Sequence, residues 1–106
     1  MARNPSLEEV LDKVKKYAEK IKVEFNVTAV YLFGSCVKGG FGDDSDIDVA
    51  VVSDNFSGDL VEDTFKLMKA RRDIEMRIEP HPISTVDFNE KNPFVMELLG
   101  KNIKVA

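Results

Sequence analysis

Four aspartates, Asp43, Asp44, Asp46 and Asp48, crowd the end of the segment "FGSCVKGGFGDDSDIDVAVV". Like charges next to an apolar segment repel one another and lose hydration, so a compensating charge is expected. Asp46 and Asp48 are two residues apart, which in an extended segment puts both side chains on one face with Cα atoms about 6.5 Å apart. Such a pair suits one or two hard cations such as Mg²⁺, which completes its coordination with water and phosphate oxygens.

The glycine-rich first half of this segment suits the phosphate of such a ligand. Gly34 lets backbone approach closely, and the following N–H groups and the Ser35 hydroxyl can hold phosphate oxygens. Lys38 adds a positive charge, and Ser45 is either a backbone cap or a contact to the ligand. The loop therefore predicts a site for a phosphate-bearing ligand with a divalent cation.

Three familiar glycine or aspartate loops do not fit these residues. A P-loop needs Lys-Ser or Lys-Thr after its second glycine, where this chain has Gly40 and Phe41. A dinucleotide-binding fingerprint needs a further glycine three residues after Gly42, and none is there. An EF-hand loop needs glycine at Val49 and glutamate at Asn55.

Helices and strands are predicted on both sides of the loop. Near the N-terminus a possible capping box, Ser6 with Glu9, opens an amphipathic helix. Residues 27–33 form a β-branched and aromatic strand, and residues 47–52 form an apolar, interior strand. A second helix begins after Asp59 as its cap.

The C-terminal third is predicted to contain a third strand, a short helix and a terminal edge strand. "DIEMRIEP" alternates apolar and polar residues, which predicts a strand, and "PHP" at 80–82 is expected to end it in a turn that includes His81. "NPFVMELLGKN" predicts the helix and "IKVA" the edge strand. The order indicates an α/β (α+β) fold, a small mixed sheet with helices on one face.

Length and composition limit the classes of function. The 106 residues suit a single domain spanning 1–106, and 43% hydrophobic with 32% charged residues is typical of a folded globular chain. A net charge of -4 argues against general binding of duplex nucleic acid. One cysteine, Cys36, excludes an internal disulfide. We expect a cytoplasmic protein, because neither a signal peptide nor a membrane-spanning run is seen.

The loop resembles the signature of a known superfamily. Gly34-Ser35, ten residues, and Asp46-x-Asp48, with Ser45 before the first aspartate, resemble the DNA polymerase β-type nucleotidyltransferases. The short chain resembles the minimal nucleotidyltransferases, the MNT proteins. The resemblance implies a polymerase β-like nucleotidyltransferase fold and Mg²⁺-dependent transfer of a nucleotidyl group from a nucleoside triphosphate, with ATP the expected donor and pyrophosphate released.

The resemblance also implies a third carboxylate on a neighbouring strand. Glu75 follows Ile74 in the middle of the predicted strand and is our expectation, with Glu79 in reserve. The expected catalytic and metal-binding residues are therefore Asp46, Asp48 and Glu75. The expected nucleotide-binding residues are Gly34, Ser35, Lys38 and Ser45.

Partners follow from the resemblance as well. MNT proteins pair with helical HEPN-domain proteins as toxin and antitoxin, so a HEPN partner is expected to serve as acceptor and to complete the nucleoside site. Larger relatives have a helical second domain, which we do not expect within these 106 residues. Apolar residues in "NPFVMELL" suit a partner or a homodimer. The alternative function is a catalytically weak binding module that neutralises its partner by contact.

Overall fold

The computed structural model describes residues 7–34, 37 and 46–106, except for the side chain of Leu99. Within these residues a mixed sheet is combined with helices, which confirms the predicted fold class. The elements, in chain order, are α1 (Leu7–Glu24), β1 (Val27–Phe33), β2 (Ile47–Ser53), α2 (Leu60–Ala70), β3 (Ile78–Ser84), a 3-10 turn (Thr85–Asp87), α3 (Pro93–Gly100) and β4 (Ile103–Lys104).

The four described strands lie in the order β3-β2-β1-β4. β1 pairs antiparallel with β2 and β4, whereas β2 and β3 are parallel, with α2 as their connection. Asp48 is the register partner of Phe33 on one side and of Glu79 on the other. The last residue of β1 and the first residues of β2 and β3 therefore meet at one end of the sheet.

The sheet is covered on both faces. Ile47, Val49 and Val51 of β2 pack in the larger core with buried residues of α1 and α2, including Tyr17 and Leu67. The alternate residues Ala50 and Val52 pack in a second core with Val95 and Leu98 of α3. The prediction that helices lie on one face holds for α1 and α2 and is wrong for α3. By the same alternation, Asp48 faces the α3 side.

β3 differs from its prediction at both ends. It begins at Ile78 and continues through Pro80 and Pro82, so "PHP" does not end it. The backbone N of Ile47 donates to the backbone O of Arg77 at 2.8 Å. Alternate residues of a strand bond to a given neighbouring strand, so the odd-numbered residues of β3 direct their backbone N–H and C=O groups towards β2. Both prolines therefore lie where a backbone N–H would point away from the sheet, as proline requires on an edge strand.

The helices are fixed by polar contacts as well as by packing. Asp59 caps α2 as predicted, because its carboxylate accepts from Val61 N at 3.0 Å and Glu62 N at 3.2 Å. The buried Tyr17 hydroxyl donates to Leu67 O at 2.6 Å, which ties α1 to α2. Ser6 of the predicted capping box lies outside the described residues.

Among the described helices, none is long and apolar enough to cross a membrane.

Candidate functional site

Three polar side chains meet at the end of the sheet where β2 and β3 begin. Asp48, Glu79 and His81 each offer a donor atom, and these atoms lie within 4.8 Å of one another. The parallel register places Glu79 beside Asp48 and His81 two residues further along β3, on the same face. This arrangement, two carboxylates and one imidazole, is a set of ligands for a divalent cation.

His81 is held among aromatic side chains. Its Nε2 lies 3.2 Å from Asp48 Oδ1, and its ring centroid is 5.2 Å from that of Phe33 and 5.7 Å from that of Phe94. The side chains of His81 and Asp48 remain 33% and 26% exposed, so both are accessible from solvent. The sequence interpretation placed His81 in a turn. The sequence did contain one signal for its position. Glu79, His81 and Ile83 are spaced two residues apart, so they share one face if the strand continues through Pro80 and Pro82.

Asp46 joins this group from just before β2. The pKa of the Glu79 carboxyl is raised, chiefly because it shares a hydrogen bond with Asp46, and further by partial burial and the negative charges of Asp46 and Asp48, while His81 lowers it. A carboxyl held so close to like charges favours binding a proton or a cation. The donor set, carboxylate oxygens with like charges to neutralise, therefore fits a hard divalent cation.

Gly34 brings its backbone against Asp48. Its φ of +80° lies in the left-handed region that glycine tolerates, and a Cβ built there would overlap the Asp48 carboxylate, with Oδ2 the nearest atom. Val37 N donates to Gly34 O at 3.1 Å, so the chain turns directly after β1. The remaining predicted nucleotide contacts, Ser35, Lys38 and Ser45, lie outside the described residues, as do Cys36, Asp43 and Asp44.

Glu75 lies elsewhere, so its expected place in the middle of a strand is wrong. It lies in the turn before β3. Arg77 donates three hydrogen bonds to its carboxylate, from Nε at 3.1 Å, from Nη2 at 3.2 Å and from the backbone N at 3.0 Å. This bonding lowers the pKa of Glu75. Glu75 borders a small pocket together with Val10 of α1 and Ile47 of β2. Ile47 packs in the larger core, so this pocket lies on the side of the sheet opposite to Asp48. The structure thus brings Glu79, not Glu75, to Asp46 and Asp48.

An open cavity of about 520 Å³ adjoins the carboxylates. It lies beside β3, the edge strand of the described sheet, and is bordered by Asp46, Glu79 and His81 at the site and by Met68 of α2 and Phe94 of α3. Apolar and aromatic walls beside a few convergent polar groups are typical of a small-molecule site. The cavity has room for a part of a substrate next to the carboxylates.

Over residues 12–105 the sequence matches the family described as polymerase beta, nucleotidyltransferase. The chain belongs to the polymerase β-type nucleotidyltransferase family. Its fold resembles the crystal structure of a candidate nucleotidyltransferase from Sulfolobus solfataricus, with a TM-score of 0.58 and 24% sequence identity. The similarity covers 81% of this chain and 80% of that chain. No curated protein matches the sequence.

This match confirms the resemblance to polymerase β-type nucleotidyltransferases that was inferred from the loop motif. The matched range includes Gly34, Asp46, Asp48 and Glu79, so the described part of the site falls within the nucleotidyltransferase match. The likeness to the solved structure supports the fold. The geometry adds that the acidic side chains of this nucleotidyltransferase converge at one end of its sheet.

Proposed function

We propose that this nucleotidyltransferase transfers a nucleotidyl group, AMP from ATP in the first instance, to an acceptor hydroxyl with the help of a divalent cation such as Mg²⁺. The observation that carries the proposal is the register of three strands. It aligns Phe33, Asp48 and Glu79 in one row, so that the carboxylates stand beside the left-handed turn at Gly34. A phosphate-bearing ligand needs this combination of negative charge for a cation and open backbone for phosphate.

Asp46, Asp48 and Glu79 would hold the cation, with Glu79 in the role first expected for Glu75. Oxygen donors suit Mg²⁺, and the closeness of Glu79 to Asp46 and Asp48 favours a compensating positive charge there. When bound, the cation supplies neutralisation of the phosphates and a lowered pKa for the acceptor hydroxyl.

The side chains of the site have separate tasks in this reaction. The acceptor oxygen forms a bond to the α-phosphorus, the bond from that phosphorus to the bridging oxygen breaks, and pyrophosphate leaves with the electron pair. Glu79 borders the cavity at the β3 edge, so we assign its carboxylate oxygen as the acceptor of the hydroxyl proton. The backbone at Gly34, with Ser35, Lys38 and Ser45, is proposed to hold the triphosphate on the β1 side.

A pair of glutamine substitutions tests the assignment. Glu79→Gln removes the proton acceptor and one negative charge, so transfer is expected to fall by a factor of about 10² to 10⁴. Glu75→Gln is the matched control, the same chemical change on a glutamate bonded to Arg77, and should leave transfer nearly unchanged. Transfer is measured with α-³²P-labelled nucleoside triphosphates, alone and with lysate, beside an Asp46→Asn/Asp48→Asn double variant.

The opposite result would contradict the proposal. If Glu75→Gln abolishes transfer and Glu79→Gln does not, the proton acceptor is not the residue that the register places beside Asp48. If the Asp46→Asn/Asp48→Asn double variant transfers label as well as the unaltered protein, the carboxylate site is not the site of reaction. Thermal unfolding of every variant checks that the fold is retained.

Exposed apolar side chains favour a contact role as a second candidate function. Val61 and Phe65 of α2 and Met96 of α3 are each more than half exposed. Such residues suit a helical protein partner, and a HEPN-domain protein is the partner we propose, as acceptor or as a toxin neutralised by contact. Partner binding that survives the Asp46→Asn/Asp48→Asn change, with no label transferred, would favour contact. Homodimer formation and a cytoplasmic location stay predictions.

A further inference from the structure

His81 brings a nitrogen donor to a site whose other donors are oxygens. Its Nε2 lies 3.2 Å from Asp48 Oδ1. One donor atom from each of Asp48, Glu79 and His81 lies within 4.8 Å of the other two. Two ligands of one cation, each about 2 to 2.3 Å from it, stand at most about 4.6 Å apart. The 3.2 Å between His81 Nε2 and Asp48 Oδ1 lies within this range, so the imidazole is near enough to share a cation with the Asp48 carboxylate, and Glu79 lies beside both.

The position of this nitrogen is fixed by the backbone and by packing. Pro80 and Pro82 restrict the backbone on both sides of His81, because each proline ring fixes its own φ and limits the residue before it. The rings of Phe33 and Phe94 contact the imidazole from the β1 and α3 sides. A donor whose orientation is set in advance loses little freedom on binding a cation.

We propose that His81 Nε2 is a ligand of the divalent cation and makes the site select a first-row transition cation over Mg²⁺. This inference rests on the proposed function, in which Asp48 and Glu79 bind the same cation. Mg²⁺ prefers oxygen donors, whereas a neutral imidazole strengthens the binding of transition cations such as Co²⁺. The nitrogen therefore adds more affinity for Co²⁺ than for Mg²⁺.

The pairing of His81 with Asp48 must change when the cation binds. Nε2 coordinates a cation through its lone pair, and for that the ring proton must reside on Nδ1. In this tautomer Nε2 has no hydrogen to donate to Asp48 Oδ1. Asp48 and His81 thus either share a hydrogen bond or bind the cation together, and the cation takes the place of the hydrogen between them.

Calorimetric titration with Co²⁺ and with Mg²⁺ tests the inference without any measurement of transfer. His81→Phe keeps an aromatic ring between Phe33 and Phe94 and removes the nitrogen, so the affinity for Co²⁺ is expected to fall roughly 10- to 100-fold. The affinity for Mg²⁺ should change by less than about threefold. In the unaltered protein, pulsed electron paramagnetic resonance of bound Mn²⁺ should show coupling to an imidazole ¹⁴N, and in His81→Phe it should not.

Each other outcome overturns the inference, and the outcomes separate it from the proposed function. Equal losses for Co²⁺ and Mg²⁺ mean that His81 acts by orienting Asp48, and unchanged affinities mean that it has no part in binding. If the unaltered protein binds neither cation, the proposed function fails as well. If His81→Phe does not fold, the ¹⁴N coupling in the unaltered protein decides the question, and a bound Mn²⁺ without that coupling refutes nitrogen ligation.

Discussion

Replacing Gly34 with alanine is expected to damage the site far more than the fold. Gly34 has a φ of +80°, and a Cβ there would stand 3.1 Å from Asp48 Cγ and 3.3 Å from Asp48 Cβ, with Oδ2 nearer still. Comfortable non-bonded separations are about 3.5 Å. The Asp48 carboxylate must therefore move by an amount on the order of 1 Å.

The size of the effect follows from this displacement. Moving a group at a catalytic site by about 1 Å can reduce the rate roughly 10²-fold, and the shift also disturbs the 3.2 Å contact between Asp48 and His81. Holding alanine in the left-handed region adds a loss of about 1 to 2 kcal/mol in the free energy of unfolding. We thus expect a large loss of cation binding and transfer together with a modest loss of stability.

The chain contains a matched control for this experiment. Gly58 also has a positive φ, +94°, but a Cβ built there meets no heavy atom within 4 Å. Gly58→Ala is therefore expected to lose the same roughly 1 to 2 kcal/mol of stability and to keep full cation affinity. Urea unfolding gives the stability of both variants, and calorimetric titration with Mg²⁺ gives their affinity.

A comparison of the two variants can refute the reasoning. If Gly34→Ala binds Mg²⁺ as tightly as Gly58→Ala, the Asp48 carboxylate either tolerates the displacement or does not bind the cation. If both variants lose affinity equally, the loss comes from general strain in the backbone and not from the contact with Asp48. Loss of affinity in Gly34→Ala with similar destabilisation of both supports the geometry described.

Two further predictions concern stability. The buried Asp63 carboxylate accepts from Ser57 N at 3.0 Å and Ser57 Oγ at 2.9 Å, so Asp63→Ala should lower the free energy of unfolding by about 2 kcal/mol, measured by urea denaturation. Asp63→Asn, which keeps an acceptor oxygen, should lose less, and equal losses would contradict a hydrogen-bonding role. Arg77 lowers the pKa of Glu75 below its ordinary value of 4.5, so their pairing stabilises the fold above that pH and ceases to do so as the pH falls through the lowered pKa. The unfolding free energies of the unaltered protein and Glu75→Gln should then differ by up to about 1 kcal/mol at pH 7 and converge towards pH 2, whereas a constant difference would exclude the ion pair as its cause.

The central strands and the acidic motif were predictable because they depend on local patterns. β-branched and aromatic residues marked β1 with its observed bounds, and the cap at Asp59 marked the start of α2. The spacing of Asp46 and Asp48 needed only the alternation of an extended chain to put both on one face. The family followed from the same motif and is confirmed over residues 12–105.

The third carboxylate was harder to predict because it depends on tertiary pairing. Alternation in "DIEMRIEP" suggested a strand centred on Glu75, but Arg77 bonds that glutamate within a turn, and pairing with β2 begins at Ile78. A proline interrupts a strand if its nitrogen faces a neighbouring strand, and it is tolerated if its nitrogen faces away from the sheet. The sequence alone does not show which of these applies. The side of the sheet on which α3 packs is likewise determined by the second core, and the sequence pattern of α3 does not reveal it.

The two prolines of β3 also limit what can attach to this edge of the sheet. Strand addition, by a peptide or by another copy of the chain, needs outward N–H donors as well as outward carbonyls. Pro80 and Pro82 remove two successive outward donors, so an added strand could donate to β3 but would find no hydrogen to accept at these positions. The edge beside Glu79 is thereby less open to aggregation by β-pairing, and a partner there can use only the backbone carbonyls and the side chains of β3 at these positions.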